Sequence, residues 1–354
     1  MGADTKIEWA DHTFNPWTGC QRVSPGCDHC YAEAQAKRNT STFGAWGAHA
    51  ERKRTSESYW RQPLKWNSEA CKAGTRPRVF CASMADVFDN QVPESWRADL
   101  WNLIAATPHL DWLLLTKRPQ LIAKMLPVAS APNPDYRPWP EPWPWRNVWL
   151  GTTVENQAEA DRRIPQLLAV PAAKRFLSCE PLLGAVDLRK VQGPNGIQVV
   201  DSLRGTSRDP EWSAPSARID WVICGGESGP GARPMHPDWA RSLRDQCAAA
   251  GAPFFFKQWG DWKPICEGGD DWHDHLYSSN RKAREGEDQD IVDERYGRTC
   301  KVPTAQMRPD GRHFDKDRFS NPEAFGAGSM MVFQIGKKAA GRLLDGREHI
   351  EVPA

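Results

Sequence analysis

No stretch of the 354-residue chain is as long and as apolar as a membrane-spanning helix, which needs about 20 such residues. The first six residues contain no apolar run, so we expect no signal peptide, no membrane partner and a cytoplasmic location. The formal net charge is only +1, so no overall field draws the chain to nucleic acid or anionic lipid. This balance disfavours non-specific DNA binding, although it does not exclude a local basic groove.

The chain also has no Gly-x-Gly-x-x-Gly after its first predicted strand, which gives a dinucleotide-binding fold little support. Internal repeats and low-complexity tracts are absent from the sequence. The length suits one large α/β barrel or two smaller domains. The 18 tryptophans are unusual, and Trp139, Trp143 and Trp145 share a Pro-rich stretch. We expect them to pack in loops, with stacking of a base as the alternative.

Three of the ten cysteines stand together: Cys20, Cys27 and Cys30, at spacing C-x6-C-x2-C. Pro25 and the neighbouring glycines predict a loop that leads into a helix from Tyr31 to Arg38. Cysteine thiolates are the usual ligands of a four-iron cluster, and three of them leave one iron open for a further ligand. A structural zinc site would want four protein ligands, which His12 or His29 would complete. The other seven cysteines show no ligand spacing, and we expect them to be structural.

Buried apolar strands alternate with helices along the rest of the chain, a pattern typical of parallel βαβ units. After a first strand within residues 5–15, the sequence predicts strands at Arg78–Met84, Asp111–Thr116, Asn147–Thr152, Lys174–Cys179, Asp220–Cys224 and Pro253–Lys257. Predicted helices span Ser95–Thr107, Pro119–Leu126, Asn156–Leu168 and Pro237–Ala250, and residues 39–75 are predicted to be loop-like with one short helix. This rhythm predicts an α/β fold with a (β/α) barrel, complete or partial; a doubly wound open sheet is the alternative.

We expect residues 1–260 to form the barrel, with insertions at 127–146 and 185–218. Residues 261–354 form a C-terminal extension, predicted as a polar lid or loop region up to residue 328, a late strand at Met330–Ile335 and a short basic helix at Gly336–Leu344. This extension is expected to pack on the barrel.

The chemistry of α/β barrels takes place at the carboxyl ends of the strands, and most of the residues at or just after those ends are polar in this sequence. They are Ser83, Met84, Asp86, Thr116, Lys117, Arg118, Thr152, Thr153, Glu155, Ser178, Glu180, Gly225, Gly226, Glu227, Ser228, Lys257 and Gln258. Individually, Asp86 and Glu180 could cap helices, Lys117 and Arg118 could be solvated, and the glycine pair could be a tight turn. As a set they are expected to meet at one mouth, with the cysteine loop opening onto it. Cys179 and Cys224 lie near this mouth, where packing is favoured over hydrogen-atom donation.

The cysteine loop followed by Tyr-Ala, with a barrel rhythm behind it, resembles the radical S-adenosylmethionine (SAM) superfamily, whose usual pattern is C-x3-C-x2-C. This chain has six residues in the first gap. The sequence also resembles an uncharacterised phage- and prophage-associated family with a three-cysteine motif. The segments that carry this resemblance are Asn15–Cys20, Gly26–Ala32, Leu115–Pro119, Arg175–Leu183, Gly225–Arg233 and Gly336–Gly346. If a phage encodes the chain, the expected location is the host cytoplasm.

The resemblance implies a radical-SAM-like barrel in which Cys20, Cys27 and Cys30 hold a [4Fe-4S] cluster whose open iron binds SAM. It implies SAM contacts from His29, Tyr31, Ser83, Met84, Asp86, Thr152, Glu155, Ser178 and Glu180. Lys117, Arg118, Glu227, Ser228, Lys257 and Gln258 are the candidates for catalysis or substrate binding. The expected enzyme takes a hydrogen atom from its substrate, with a rearrangement favoured, and uses an external electron donor.

The phage association favours a modified, thymine-derived base in DNA as the substrate. Residues 308–318, together with Lys337, Lys338 and Arg342, could contact phosphates, and the tryptophans could stack a flipped base. The alternatives are the same chemistry on a peptide or small metabolite, and a non-enzymatic zinc-binding module. A SAM methyltransferase without a cluster would leave the three-cysteine loop unexplained.

Overall fold

The structure of the chain is a computed structural model, and it describes residues 5, 7–127, 142–193, 199–207, 217–315 and 320–354. Seven parallel strands form its central sheet. They are β1 (His12–Thr13), β2 (Arg78–Cys81), β3 (Asp111–Thr116), β4 (Val148–Thr153), β5 (Lys174–Cys179), β6 (Trp221–Gly225) and β7 (Phe254–Gln258). Their order in the sheet is their order in the chain, as expected of successive βαβ units.

The sheet is a curled, open half-barrel, so the partial form of the expected barrel is the one observed. The outer edge of β7 is occupied by the C-terminal segment, which runs antiparallel to it, with Phe255 opposite Ile350. The backbone N–H of Phe256 donates to the carbonyl of His349 at 2.8 Å. A paired edge offers no free hydrogen-bonding groups to another strand.

Helices connect the strands. The longer ones are α1 (Tyr31–Arg38), α2 (Gln62–Ala73), α3 (Glu94–Ala105), α4 (Gln157–Leu168) and α5 (Pro237–Ala250). Short α-helices lie at Thr40–Phe43, Glu57–Trp60 and Ile122–Met125, and 3-10 turns lie at Pro25–Cys27, Pro119–Leu121, Ile265–Glu267, Asp274–Leu276 and Pro322–Phe325. Within the described ranges, no helix is long and apolar enough to cross a membrane.

The two faces of the sheet bury different side chains, because successive residues of a strand point to opposite faces. In β4, Val148 and Leu150 pack into the larger core cluster, whereas Trp149 packs into a smaller one on the other face. This smaller cluster is dominated by aromatic rings and contains Trp9, Ala10, Phe80, Leu113, Trp149, Phe176, Trp221, Ile223 and Phe255. Trp9 and Phe80, whose ring centroids are 4.6 Å apart, also line the central cavity, so this aromatic layer forms part of its floor.

The C-terminal extension is more ordered than a polar lid. Its four-stranded antiparallel sheet has the order Trp262–Pro264, Met330–Gln334, Thr304–Met307, His313–Phe314. A hairpin joins Tyr277–Ser278 to Thr299–Cys300, and a helix spans Gln289–Tyr296. The late strand is therefore confirmed, whereas the basic helix is limited to Lys337–Ala340 and ends at Gly341, whose φ is 77°.

The secondary structure of residues 39–75 and of the second insertion differs from the prediction. Residues 39–75 are more helical than predicted, because α2 alone has 12 residues, with Trp66 and Ala70 buried. In the second insertion, Val191–Gln192, Val199–Asp201 and Thr206–Ser207 form a small antiparallel sheet. Residues 128–141, 194–198 and 208–216 of the two predicted insertions lie outside the described residues. Further short strands at Trp17–Thr18 and Lys53–Arg54 pair with each other.

Candidate active site

A cavity of about 730 Å³ opens over the carboxyl ends of the parallel strands, where loops from every strand of a barrel can meet. The predicted site residues that line it are Cys20, Cys27, His29, Cys30, Tyr31, Ser83, Met84, Asp86, Lys117, Arg118, Ser178, Glu180, Glu227, Ser228, Lys257 and Gln258. Thr116, Thr153 and Gly226 line it as well. Convergence of the strand ends on one mouth is therefore observed.

The three thiols of the cysteine loop are free and lie on the same cavity. Pro25 begins a 3-10 turn that ends at Cys27, whose N–H donates to the carbonyl of Ser24 at 2.9 Å. Cys30 is the N-cap residue of α1, so its side chain stands where the loop becomes helix. Cys27 is buried, whereas Cys20 and Cys30 are half-buried.

Arg118 joins the end of β3 to the first cysteine. Its guanidinium nitrogens lie 3.6 and 3.8 Å from the Sγ of Cys20, and one is 2.8 Å from a carboxylate oxygen of Asp86. Burial, reinforced by the Asp86 carboxylate and opposed by Arg118, raises the pKa of the Cys20 thiol to about 11. Coordination to a metal deprotonates a thiol outright, and the adjacent guanidinium would stabilise the resulting negative charge.

Asn15 fixes the turn after β2. It is fully buried, its Nδ2 donates to the hydroxyl of Ser83 at 3.0 Å, and its Oδ1 accepts the N–H of Met84 at 2.8 Å. The hydroxyl of Tyr31 donates to the carbonyl of Ser83 at 2.7 Å, which connects this turn to the start of α1. The sequence prediction did not include Asn15, although it lies in one of the segments that carried the resemblance.

Thr152 and Glu155 are placed beneath the cavity instead of on its lining. Both side chains are fully buried. The hydroxyl of Thr152 donates to the carbonyl of Thr116 at 2.8 Å, and Glu155 pairs with the buried Arg163 at 2.7 Å. Glu155 also accepts the hydroxyl of Ser24 at 2.5 Å, so it contacts the cysteine loop from below.

Glu180 and Lys257 form an ion pair across the ends of β5 and β7, with 2.9 Å between the carboxylate and the ammonium. Gly225 lies between them, and a Cβ there would be 2.8 Å from the Glu180 carboxylate, so a larger residue would displace the pair. The hydroxyl of Ser178 is 3.5 Å from the same carboxylate. Next to Lys257, Gln258 is 6% exposed, and its side-chain oxygen has no partner among the described residues.

Glu227 binds Arg233 through two hydrogen bonds of 2.8 and 2.7 Å. From there the guanidinium reaches the carbonyl of Pro25 at 2.9 Å and the carboxylate of Asp28 at 3.3 Å. In the same glycine-rich loop, Gly231 approaches His29 so closely that a Cβ would be 2.8 Å from the imidazole ring. The sequence analysis did not predict Arg233 as a site residue. Its position at the end of the Gly225–Arg233 segment was the one feature of the sequence that could have indicated it.

Lys117 and Lys337 are the cavity-lining lysines whose ammonium groups have no partner among the described residues. Lys117 is half-buried at the end of β3, and Lys337 is exposed on the C-terminal extension. The acidic side chains on the lining, Asp86, Glu180 and Glu227, are each paired with a cation. The lining therefore has positive charge to offer to a bound anion.

Several other candidates lie away from the cavity. Cys179 and Cys224 are fully buried in the larger core cluster, where burial raises the pKa of both thiols, so they pack as expected. Trp143 and Trp145 pack edge-on against Trp101 at 5.9 Å, which confirms their packing role, and Trp139 lies outside the described residues.

In the basic segment, Arg308 donates to the carbonyl of Glu323, and Arg312 pairs with Asp310 and Glu323, whereas residues 316–319 are not described. The described arginines of this segment thus have partners within the chain. Arg342 pairs with Glu348 at 3.2 Å.

Zinc and a four-iron cluster place different demands on the arrangement of their ligands. Across the described ranges, no group of three His, Cys, Asp or Glu side chains could hold one metal ion. A zinc centre needs its donor atoms to converge on one ion. A four-iron cluster takes one cysteine per iron and does not need that convergence, and three free thiols on one cavity suit it.

The chain is weakly similar to one solved structure. A solved structure of a spore photoproduct lyase double mutant, with bound AdoMet and dinucleoside spore photoproduct, matches at a TM-score of 0.31 and 14% identity. The match covers 51% of this chain and 48% of that one, so the chain spans about half of that protein's length. At this TM-score the likeness does not by itself show a shared fold. No curated protein matches the chain.

A family model matches nearly the whole chain. It covers residues 4–353 and is described as a protein of unknown function, DUF5131. The match includes the cysteine loop, all seven strands of the half-barrel and the C-terminal extension. The chain therefore belongs to the DUF5131 family of proteins of unknown function.

Proposed function

We propose that the chain is a radical SAM enzyme that holds a [4Fe-4S] cluster on Cys20, Cys27 and Cys30 and binds SAM beside it. The observation that carries the proposal is that three free thiols of one loop line a single cavity at the carboxyl ends of a parallel half-barrel. When bound, the cluster and SAM supply a 5′-deoxyadenosyl radical that takes a hydrogen atom from an unreactive carbon. A rearrangement of the substrate is the reaction type that we favour, and an external donor supplies the electron.

The chain's own residues bind, orient and exclude water. Arg118 places positive charge beside the Cys20 thiolate. His29, Tyr31, Ser83, Met84, Asp86, Ser178 and Glu180 line the cavity and are the proposed SAM contacts. Thr152 and Glu155 support this site from beneath. The aromatic floor that includes Trp9 and Phe80 keeps water from the reacting centre, which protects reactive species from side reactions.

Metal analysis tests this proposal directly. Anaerobically purified and reconstituted protein is expected to contain about four irons and four sulfides per chain, the content of one [4Fe-4S] cluster. After reduction with dithionite, its EPR spectrum should change when SAM is added, because SAM would occupy the open iron. The matched control replaces all three loop cysteines with alanine. Stoichiometric zinc without iron, or iron retained by the triple variant, would overturn the proposal.

For the substrate we propose a modified, thymine-derived base in DNA, or a nucleotide that carries one. The ammonium groups of Lys117 and Lys337, which have no partner within the described ranges, support an anionic substrate. A phosphate would be attracted to cations on a lining whose acids are already paired. The buried oxygen of Gln258 supports a substrate with an N–H donor, since an amide oxygen that has no partner in the described part of the chain gains a hydrogen bond on binding. Arg118, Glu227, Ser228 and Lys257 are the further proposed substrate contacts.

Charge reversal on the C-terminal extension tests the DNA substrate. Replacing Lys337 and Lys338 by glutamate should weaken duplex binding and reduce the salt slope of the affinity by about 2 if each lysine contacts one phosphate. Lys65→Glu, an exposed lysine on α2, is the matched control and should leave the slope unchanged. No DNA binding by the wild type at low salt would contradict the DNA substrate. Turnover of a free peptide or nucleoside would then identify the alternative.

A further inference from the structure

The gap between Cys20 and Cys27 is three residues longer than in the C-x3-C pattern that the loop resembles. Cys20 and Cys30 adjoin fixed parts of the fold. The N–H of Gly19, next to Cys20, donates to the carbonyl of Met84 at 3.0 Å, and Cys30 occupies the N-cap position of α1. Cys27 ends the short 3-10 turn between them, so its position depends on what holds Ser24, Pro25 and Gly26, the three residues before it.

Glu155 holds this segment from beneath. Its carboxylate accepts the hydroxyl of Ser24 at 2.5 Å, and a Cβ on Gly26 would lie only 2.4 Å from the same carboxylate. Glu155 cannot move aside easily, because it is fully buried and paired at 2.7 Å with Arg163, whose side chain is 1% exposed. The buried ion pair thus forms a rigid surface under the loop. That surface has room only for glycine at position 26 and binds a hydroxyl at position 24.

Arg233 binds the same segment through its guanidinium. Two of its nitrogens bind the Glu227 carboxylate, and the outer part of the guanidinium reaches the Pro25 carbonyl and the Asp28 carboxylate. These contacts flank Cys27 on both sides in the chain. Arginine suits this bridge because its planar fork presents several donors in fixed directions at once, which lysine cannot do.

We propose that Glu155 and Arg233 are positioning residues that clamp the Ser24–Cys27 turn and so fix the Cys27 thiol on the cavity. The purpose of this clamp rests on the proposed function, because a thiol that is held in place can serve as a ligand of the cluster. The clamp itself consists of contacts within the chain and exists without any metal. The clamp also gives the longer gap between Cys20 and Cys27 a role, because the additional residues provide the contacts with Glu155 and Arg233.

The experiment measures how fast each cysteine is alkylated in the metal-free protein, with mass spectrometry to resolve the sites. Cys27 is 9% exposed, so its alkylation requires local opening of the turn. Ser24→Ala removes the hydroxyl that donates to Glu155 at 2.5 Å and lies 4.0 Å from the Cys27 sulfur, and it should accelerate the alkylation of Cys27 about fivefold. Arg233→Ala removes charge-assisted bonds and should accelerate it about tenfold or more. Gly26→Ala should act in the same direction by forcing the turn away from Glu155.

The controls separate positioning from general loss of stability. Ser24→Thr keeps the hydroxyl and should restore the wild-type rate, whereas Arg233→Lys should not. Arg204→Ala removes an arginine that bonds to Asp201 and Ala249, away from the loop, and should change nothing at Cys27. The exposed Cys71 serves as an internal reference in every variant, and its rate should stay constant.

Acceleration confined to Cys27, with an unchanged thermal midpoint, would support the clamp. An unchanged Cys27 rate in both Ser24→Ala and Arg233→Ala would overturn it. Acceleration of the core thiols Cys179 and Cys224 together with Cys27 would overturn it too, because the variants would then be globally loosened. In a parallel measurement, loaded variants should release iron to a chelator faster than the wild type. If the wild type binds no iron while Cys27 still responds, the clamp stands and the proposed function fails.

Discussion

Replacing Asp86 by asparagine is expected to lower the free energy of unfolding by about 3 to 5 kcal/mol, the usual cost of breaking a buried ion pair from one side. One carboxylate oxygen accepts the N–H of Phe88 at 2.9 Å and the hydroxyl of Thr116 at 2.7 Å. The other accepts the N–H of Lys117 at 3.1 Å and the Arg118 guanidinium at 2.8 Å. An asparagine amide would face two of these donors with its own N–H groups and leave Arg118 buried without its counter-charge.

The measurement is urea unfolding of the metal-free protein, followed by tryptophan fluorescence and circular dichroism. Asp99→Asn is the matched control, because Asp99 pairs with Arg54 at 2.7 Å but both side chains are about one-third exposed (34% and 30%). Its loss should cost no more than about 1 kcal/mol, as exposed pairs do. The two variants thus compare ion pairs of nearly equal distance, of which the Asp86 pair is buried and the Asp99 pair is about one-third exposed.

A double variant, Asp86→Asn with Arg118→Met, completes the cycle. The loss of unfolding free energy in the double variant should be clearly smaller than the sum of the losses in the two single variants. Each single variant leaves one buried charge without its partner, whereas the double variant removes both charges. If Asp86→Asn cost no more than Asp99→Asn, or if the double variant were strictly additive, the reasoning that Asp86 and Arg118 act as one buried unit would be refuted.

Three further predictions follow from single sites. Gly151→Ala should destabilise the protein by about 1 to 3 kcal/mol in urea unfolding, because a Cβ there would lie 2.4 Å from the Phe176 ring in the buried sheet, whereas Gly269→Ala, with nothing within 4 Å, should have little effect. Burial lowers the pKa of His236, so the unfolded chain binds the proton more readily, and thermal stability should fall as pH drops below about 6.5. His236→Gln should flatten that part of the stability–pH profile, and an unchanged slope would contradict the assignment. Cys27→Ala should abolish iron binding while Cys224→Ala retains it, because only the first thiol lies on the cavity; equal loss in both would count against the cluster site.

Local chemistry made much of the half-barrel predictable. The strand at Asp111–Thr116, the helix at Tyr31–Arg38 and the helix at Pro237–Ala250 occur with the predicted bounds, because each is a continuous apolar run or an amphipathic segment with clear breakers at its ends. The same reasoning placed the strand-end residues at one mouth, since parallel strands of a barrel point their carboxyl ends the same way.

The extension and residues 39–75 were harder to predict, because their stability comes from tertiary contacts. The helix Gln62–Ala73 is buried through Trp66 and Ala70, which no local periodicity made evident. In the extension, short strands are held together by pairing between residues far apart, such as Thr304 with Phe333. Such pairs leave only a weak alternation in each strand.

The sequence alone determined the candidate residues of the site: three cysteines on one loop, followed by residues, most of them polar, at successive strand ends. Which of those residues reach the cavity was decided only by the tertiary structure. Thr152 and Glu155 lie at the end of β4 as Ser178 and Glu180 lie at the end of β5. Thr152 and Glu155 are nevertheless buried beneath the cavity, whereas Ser178 and Glu180 line it. The reason is that the path of the chain after each strand, and the buried partner that it meets, set the direction of each side chain. Arg163 draws Glu155 under the cysteine loop, and Arg233 reaches that loop from a strand end about 200 residues away in the chain, a pairing that no local pattern encodes.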